Sequence, residues 1–301
     1  MKIKIDDQGK EIIDKIIEQS RFLIEIKYWD NLTISKLNDW LKNFDTLEER
    51  YLSVMLLHRL IYRSRDAYSS MGKEIFHTKI PQILEDKGIY TIQTISEWLH
   101  DINSPKISRS LPFRFSSISN VDCRPVKSGA VIYNLLEDEF FDRQLGWHCD
   151  KYESLPDRIK AIILFDDIIG TGEQFENFYL ERGLDKSELT IIYIPFAAVS
   201  NIYKNLELKY SNLIISPVEV IMENHSFFSS ENRFLNKKEC FTSEDFKELY
   251  LDFCRKKSIK VEDKLGKGEL ALTYVFNNST PNNNLAILWH RDDGWNTLFK
   301  R

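Results

Sequence analysis

The stretch Ala161-Ile-Ile-Leu-Phe-Asp-Asp-Ile-Ile-Gly-Thr-Gly-Glu-Gln-Phe175 decides the fold class of this 301-residue chain. Its apolar residues 162–165 form too short a run for a buried helix and predict a central strand. Two adjacent carboxylates, Asp166 and Asp167, come where that strand is expected to end, and a Gly-Thr-Gly turn and a predicted helix follow. This order of features is typical of a ligand site at the carboxyl edge of an open α/β sheet.

The glycine turn suits a phosphate group. Its glycines let the backbone approach a ligand closely, and the helix predicted over 173–182 offers unpaired N–H groups to an anion. Adjacent acids at a buried strand end are costly unless something pairs with them. The pattern therefore favours a ligand site over a plain polar turn.

Other site classes share parts of this pattern. The magnesium strand of P-loop ATPases also ends in acids, but the sequence contains no G-x-x-x-x-G-K-[ST]. A receiver-like domain would not be expected to carry the Gly-Thr-Gly turn. An acid-dependent nuclease is a further alternative, although no additional acid-and-lysine motif accompanies the pair.

The segment closely resembles the ribose-phosphate motif of type I phosphoribosyltransferases. By that resemblance, Asp166 and Asp167 match the catalytic acids that contact the 2′- and 3′-hydroxyls of a ribose. The loop that cradles the 5′-phosphate matches Gly170, Thr171, Gly172, Glu173 and Gln174. The family usually carries hydroxyl residues at positions 170 and 174, and Glu173 places a negative charge where a phosphate is expected.

A second loop of the same family holds the pyrophosphate of phosphoribosyl pyrophosphate. The corresponding segment here is Arg124-Pro-Val-Lys-Ser-Gly129, between the first predicted strand and its helix. A cation, a hydroxyl and free N–H groups at a helix start suit an anion. The resemblance assigns this role to Lys127, Ser128 and Gly129, and a plain helix start is the alternative.

The composition is that of an ordinary globular protein, with 43% hydrophobic and 29% charged residues. The net charge of −5 argues against a general nucleic-acid surface but leaves room for a local basic patch. The sequence has no signal-peptide core and no apolar run long enough to span a membrane. Its four scattered cysteines are typical of free thiols. We therefore expect a cytoplasmic protein without a membrane span.

The chain is predicted to contain two domains. Residues 1–105 show helical spacing of apolar residues and a capping-box pattern, Thr46-Leu-Glu-Glu49. In residues 106–301, strands predicted at 113–118, 161–165, 189–196, 213–221 and 270–276 are interspersed with predicted helices, which indicates a parallel sheet. The predicted fold class is α/β, with a mostly parallel, phosphoribosyltransferase-like sheet and an N-terminal all-helical domain.

The C-terminal tail is rich in Asn, Pro and Trp. Its Thr280-Pro-Asn-Asn segment, leading to an apolar run and Trp289, resembles the tail of phosphoribosyltransferase-like proteins of bacterial conflict systems, which also carry a helical region like that of residues 29–64. The resemblance implies anti-phage defence beside a nucleic-acid-handling partner. We expect Trp289 and Trp295 to be buried. The alternative role for the tail is a purely structural one, as a clasp over the sheet. His290, which follows Trp289 in the tail, is a further candidate for the ligand site.

Two functions remain open from the sequence. In the first, the protein is an enzyme acting at ribose C1, with Mg²⁺ held at Asp166 and Asp167 and bridging the pyrophosphate and the ribose hydroxyls. In the second, the protein binds phosphoribosyl pyrophosphate or a nucleotide without turnover, as a sensor or partner-binding subunit of a defence complex. The missing hydroxyls at positions 170 and 174 favour the second function, and the intact acid pair favours the first.

Overall fold

The structure, a computed structural model, describes residues 4–118, 128–147, 155–232 and 241–301. Its helices are, in chain order, α1 (Asp7–Glu25), α2 (Ile34–Leu41), α3 (Leu47–His58), α4 (Arg65–Glu74), α5 (Ile80–Asp86), α6 (Ile95–Asn103), α7 (Pro105–Ser108), α8 (Ser128–Phe140), α9 (Glu173–Glu181), α10 (Ser200–Lys209) and α11 (Ser243–Lys256). Its strands are β1 (Ile61–Arg63), β2 (Phe113–Ser117), β3 (Ala161–Ile169), β4 (Thr190–Val199), β5 (Leu213–Ile215), β6 (Glu219–Ile221) and β7 (Tyr274–Phe276). None of these helices is long and apolar enough to cross a membrane.

The chain divides into two compact units. The first comprises Met1–Asp66 and Met222–Arg301, and the second comprises Ala67–Ile221. The boundary predicted between residues 105 and 106 lies inside the second unit, since helices α5 to α7 group with the sheet. The C-terminal segment groups instead with the N-terminal helices.

The second unit is built on a parallel sheet with the strand order β2-β3-β4-β5, and β6 also pairs with β4. Strand β3 is central, as predicted, and its residues 162–165 are fully buried. On one face Phe165 packs against Phe76 and Phe115. On the other face Leu164 belongs to a cluster with Phe175. Burial on both faces explains why the strand is continuously apolar.

The first unit is mainly helical, and its core joins α1, α3, α11 and the C-terminal tail. The capping box predicted at Thr46 is present, because its hydroxyl accepts from the Glu49 N–H and the Glu49 carboxylate accepts from the Thr46 N–H. One short strand in the predicted helical region, β1, pairs in parallel with β7. The predicted fold class, α/β with mostly parallel strands and an N-terminal helical region, is confirmed.

The tail is part of the core of this unit. Trp289 is buried, as predicted, whereas Trp295 is only half-buried. The side-chain amide of Asn284 donates to the Tyr274 carbonyl, and its oxygen accepts from the Tyr274 N–H. The indole of Trp40 in α2 donates to the Ile287 carbonyl at 3.0 Å. These bonds hold the tail on β7 and α2.

Candidate functional site

Asp166 and Asp167 lie inside β3, just past the last residue that pairs with β2. Strand β2 ends at Ser117 opposite Phe165, whereas β4 pairs with β3 as far as Ile169. The strand therefore continues beyond the end expected from the sequence, because β4 supplies partners for its last residues. The two acids are only 3% and 5% exposed. They are enclosed on the β4 side and lie at the carboxyl edge of the β2–β3 pair, where ligands bind in open α/β sheets.

The carboxylate of Asp166 accepts two hydrogen bonds. Its Oδ1 accepts from the Asp167 backbone N–H at 3.0 Å, and its Oδ2 accepts from the Tyr193 hydroxyl at 3.0 Å. Burial raises the pKa of Asp166 well above its ordinary value, and the charge of Asp167 raises this pKa further. Burial and the charge of Asp166 also raise the pKa of Tyr193, so the Tyr193 hydroxyl remains a donor. A buried acid whose pKa is strongly perturbed in this way is typical of functional sites.

The start of α8 closely approaches this acid pair. A Cβ atom at Gly129 would lie 2.8 Å from Asp166 Oδ1 and 3.1 Å from the Ile118 carbonyl oxygen, so only glycine fits without a shift. The structure thus brings Gly129 of the predicted pyrophosphate loop next to Asp166. Ser128 is the first residue of α8, and Lys127 lies outside the described residues.

The turn between β3 and α9 begins at the buried Gly170 and the half-buried Thr171. Gly172 is the N-cap of α9 with a left-handed φ of 80°. A Cβ atom there would lie 2.9 Å from Cγ2 of Ile202 in α10. The helix starts at Glu173, as predicted, and both Glu173 and Gln174 are exposed. Because a glycine N-cap has no side chain to accept from the first-turn N–H groups, these donors suit an anionic ligand.

Tyr193 is the site residue that sequence reasoning missed. It lies on β4 opposite Leu164, and its ring stacks on Phe175 of α9 with centroids 4.3 Å apart. The tyrosine therefore connects Asp166 with the helix that follows the turn. Its only signal in the sequence is a hydroxyl within the apolar run of β4, and no spacing rule links that position to Asp166.

Replacing Tyr193 by phenylalanine is expected to lower the free energy of unfolding by about 1–3 kcal/mol, because a buried carboxyl oxygen loses its donor. The ring remains, so stacking on Phe175 is kept. Urea unfolding measures the change. Tyr210→Phe is the matched control, since the Tyr210 hydroxyl donates to Glu176, which also pairs with Lys209. Equal losses in the two variants would contradict a special role for the Tyr193 bond.

The acid pair supplies only part of a metal site. Within the described ranges, no group of three or more His, Cys, Asp or Glu side chains could hold a metal ion. Magnesium usually keeps several waters and takes one or two carboxylates together with oxygens of a phosphate ligand. Asp166 and Asp167 therefore fit a magnesium ion that a bound ligand helps to coordinate, and do not form a cage of protein ligands by themselves.

His290 was a further candidate for the ligand site from the sequence. His290 belongs to the first unit, whereas the acid pair belongs to the second. Its ring packs near Trp295 with centroids 5.9 Å apart, and burial lowers its pKa. His290 is therefore part of the docked tail, and its hydrogen bonds and ring contacts are all within the first unit.

No curated protein matches this chain. The family model described as PRTase-CE matches residues 37–301, which include the second unit, most of the first unit, the acid pair and the tail. The match extends well beyond the ribose-phosphate motif, so it does not depend on that segment alone. The chain belongs to the PRTase-CE family and is a phosphoribosyltransferase-like protein.

Proposed function

We propose that this protein binds phosphoribosyl pyrophosphate or a nucleotide at the carboxyl edge of β3 and acts at C1 of the ribose 5-phosphate. The observation that carries the proposal is one cluster of three features. The acids Asp166 and Asp167 are buried, Gly172 opens α9 in a left-handed conformation, and Gly129 lies against Asp166. Family membership supports a ligand of this class.

Each part of this cluster has a proposed role. Asp166 and Asp167 accept hydrogen bonds from the ribose hydroxyls. The turn from Gly170 to Gln174 holds the 5′-phosphate through backbone N–H groups, which require no particular side chains. Lys127, Ser128 and Gly129 hold the pyrophosphate at the start of α8. With these roles, C1 of the ribose lies between the two proposed anion-binding sites, at the start of α9 and at the start of α8.

Transfer breaks the bond between C1 and the pyrophosphate oxygen, and the electron pair leaves with pyrophosphate. A lone pair of the acceptor then forms the new bond to C1. Positive charge develops on the sugar between these events, and the carboxylates beside the ribose stabilise it. Magnesium at Asp166 and Asp167 would supply charge neutralisation for the departing pyrophosphate.

Binding without turnover is the second candidate function. It is favoured by Gly170 and Gln174, which stand where the family usually has hydroxyl residues, and by the exposed Glu173 in the first turn of α9. In that case the protein is a sensor or a partner-binding subunit.

For both candidate functions we propose a role in bacterial antiviral defence with a nucleic-acid-handling partner. The helical region and the Thr280–Asn284 tail support this setting through their resemblance to conflict-system proteins.

Calorimetric titration tests the binding proposal. Phosphoribosyl pyrophosphate and a nucleoside monophosphate should both bind, because the turn at Gly170–Gly172 recognises a phosphate through its backbone. Magnesium should strengthen binding of phosphoribosyl pyrophosphate more, since only that ligand offers a pyrophosphate for the metal to bridge. Failure of both ligands to bind to folded protein would show that the fold has lost this site. Turnover, measured as release of pyrophosphate, separates the enzyme from the sensor.

A further inference from the structure

The carboxylate of Asp166 is held at both of its oxygens. Oδ1 accepts from the Asp167 backbone N–H, and Oδ2 accepts from the Tyr193 hydroxyl, each at 3.0 Å. Because the two oxygens have different partners, the carboxylate cannot rotate without breaking one of these bonds. A carboxylate has room for about four hydrogen bonds, so each oxygen can still accept one from a ligand.

The donor of the second bond is itself held in place. Tyr193 lies in β4, opposite Leu164 of β3 and Ile215 of β5, so strands on both sides fix its backbone. Its carbonyl oxygen also accepts from the Ser216 N–H at 2.9 Å. Tyr193 is only 1% exposed, and water therefore does not compete with Asp166 for its hydroxyl.

The ring of Tyr193 reaches the helix that follows the phosphate turn. It stacks on Phe175 with an angle of 14° between the ring planes. Phe175 is in the first turn of α9, directly after the Gly172 N-cap. One side chain thereby contacts both the acid to which we assign the ribose and the helix to which we assign the 5′-phosphate.

A structural role alone does not account for this buried pair. A carboxylate in the middle of a sheet loses its hydration, and a hydrogen bond from a tyrosine offsets only part of that free energy. Apolar side chains of the same shape at both positions can be equally stable or more stable. The buried acid therefore indicates a ligand, and the tyrosine is the group that orients the acid for it.

We propose that Tyr193 is a positioning residue of the candidate site: its hydroxyl holds the Asp166 carboxylate in the orientation that accepts a hydrogen bond from a ribose hydroxyl. In this role Tyr193 acts through Asp166 and does not contact the ligand. The inference rests on the proposed function, which gives Asp166 its ribose contact. A carboxylate that is already oriented loses little conformational freedom when the ribose binds, so it binds a hydroxyl more tightly than one that is free to rotate.

Magnesium-free calorimetric titrations with AMP and with 2′,3′-dideoxy-AMP test this role. Both nucleotides offer the same 5′-phosphate to the turn, but only AMP offers the ribose hydroxyls. Wild-type protein should bind AMP at least about tenfold more tightly, because hydrogen bonds to charged groups are lost with the hydroxyls. Tyr193→Phe should reduce this preference to about threefold, since Asp167 keeps its own contact while Asp166 is no longer held.

Tyr179→Phe is the matched control. Tyr179 is also buried, its ring packs near Phe175, and its hydroxyl donates to the side chain of Asn212. This variant loses a hydroxyl bond in the same cluster but should keep the wild-type preference for AMP. Phe175→Leu keeps the Tyr193 hydroxyl and removes the ring that supports it. It should also reduce the preference, and it takes the place of Tyr193→Phe if that variant does not fold.

A double-mutant cycle measures whether the effect passes through Asp166. In protein that already carries Asp166→Asn, Tyr193→Phe should change the preference for AMP no further. A further reduction there would overturn the positioning role, as would a wild-type preference in the folded Tyr193 variant or an equal reduction in Tyr179→Phe. Failure of the proposed function is a different result, visible in the wild-type protein: neither nucleotide binds, or both bind equally, and Asp166 then has no ribose contact for Tyr193 to position.

Discussion

Replacing Asp166 and Asp167 together by asparagine is expected to abolish magnesium-dependent binding of phosphoribosyl pyrophosphate and any turnover, while the fold is kept. Asparagine has nearly the shape of aspartate, so no cavity opens in β3. The change removes two like charges that repel each other in a buried position, and the free energy of unfolding should hold or rise. Calorimetry with the ligand and urea unfolding of the same sample measure both effects. Wild-type binding in the double variant would exclude an essential ribose site at this edge.

The matched control replaces an exposed pair of adjacent acids, Asp138→Asn with Glu139→Gln on α8, and should leave ligand binding unchanged. The pH dependence of stability gives an independent readout for Asp166. Because its pKa in the folded protein lies above its ordinary value of 3.8, the unfolded chain loses this proton first as the pH rises. The group's contribution to stability is therefore largest below 3.8 and falls as the pH rises towards the folded pKa. The stability gained by Asp166→Asn should accordingly grow with pH across that window.

Replacing Gly172 by alanine is expected to have the second largest effect. The left-handed backbone at this position costs about 1–2 kcal/mol for a residue with a Cβ atom. That atom would also lie 2.9 Å from Ile202 Cγ2 and 3.2 Å from Leu206 Cδ1, so α10 or the turn must move. Displacement of the turn misplaces the N–H groups at the start of α9, and ligand binding should be lost together with stability. Calorimetry and urea unfolding again provide the two measurements.

Gly88→Ala is the control that separates strain from crowding. Gly88 also has a left-handed φ, of 61°, but a Cβ atom there would meet nothing within 4 Å. This variant should lose only the strain energy of the backbone and should bind ligand as the wild type does. If Gly172→Ala loses no more stability than Gly88→Ala and still binds, the packing of α10 on the turn is unimportant for the site.

Local patterns in the sequence were sufficient for much of the fold. The apolar run at 162–165 predicted the central strand because a strand buried on both faces has little room for polar residues. The start of α9 at Glu173 was predicted correctly, since a glycine turn before a helix is a local signal. The capping box at Thr46 was likewise predicted from residues three apart. Each of these signals is contained within one turn or one strand.

Contacts between segments that are distant in the sequence could not be predicted from such local patterns. Strand β1 has three residues, and it exists because β7 pairs with it from the other end of the chain. The grouping of the tail with the N-terminal helices depends on contacts such as the Trp40 indole with the Ile287 carbonyl. A boundary drawn where helices give way to strands cannot anticipate a tail that returns to the first helices.

The candidate site likewise combines groups that are adjacent in the sequence with groups that only the tertiary structure brings together. The sequence by itself determined the acid pair, the glycine turn and the helix that follows, because these are adjacent in the chain and the backbone alone arranges them. The tertiary structure decided which groups meet the acids: Tyr193 comes from the neighbouring strand, and Gly129 comes from the start of α8. It also decided that His290 belongs to the first unit, whereas the acid pair belongs to the second. These partners are far apart in sequence, and only the packing of whole elements, which buries their apolar faces, brings them together.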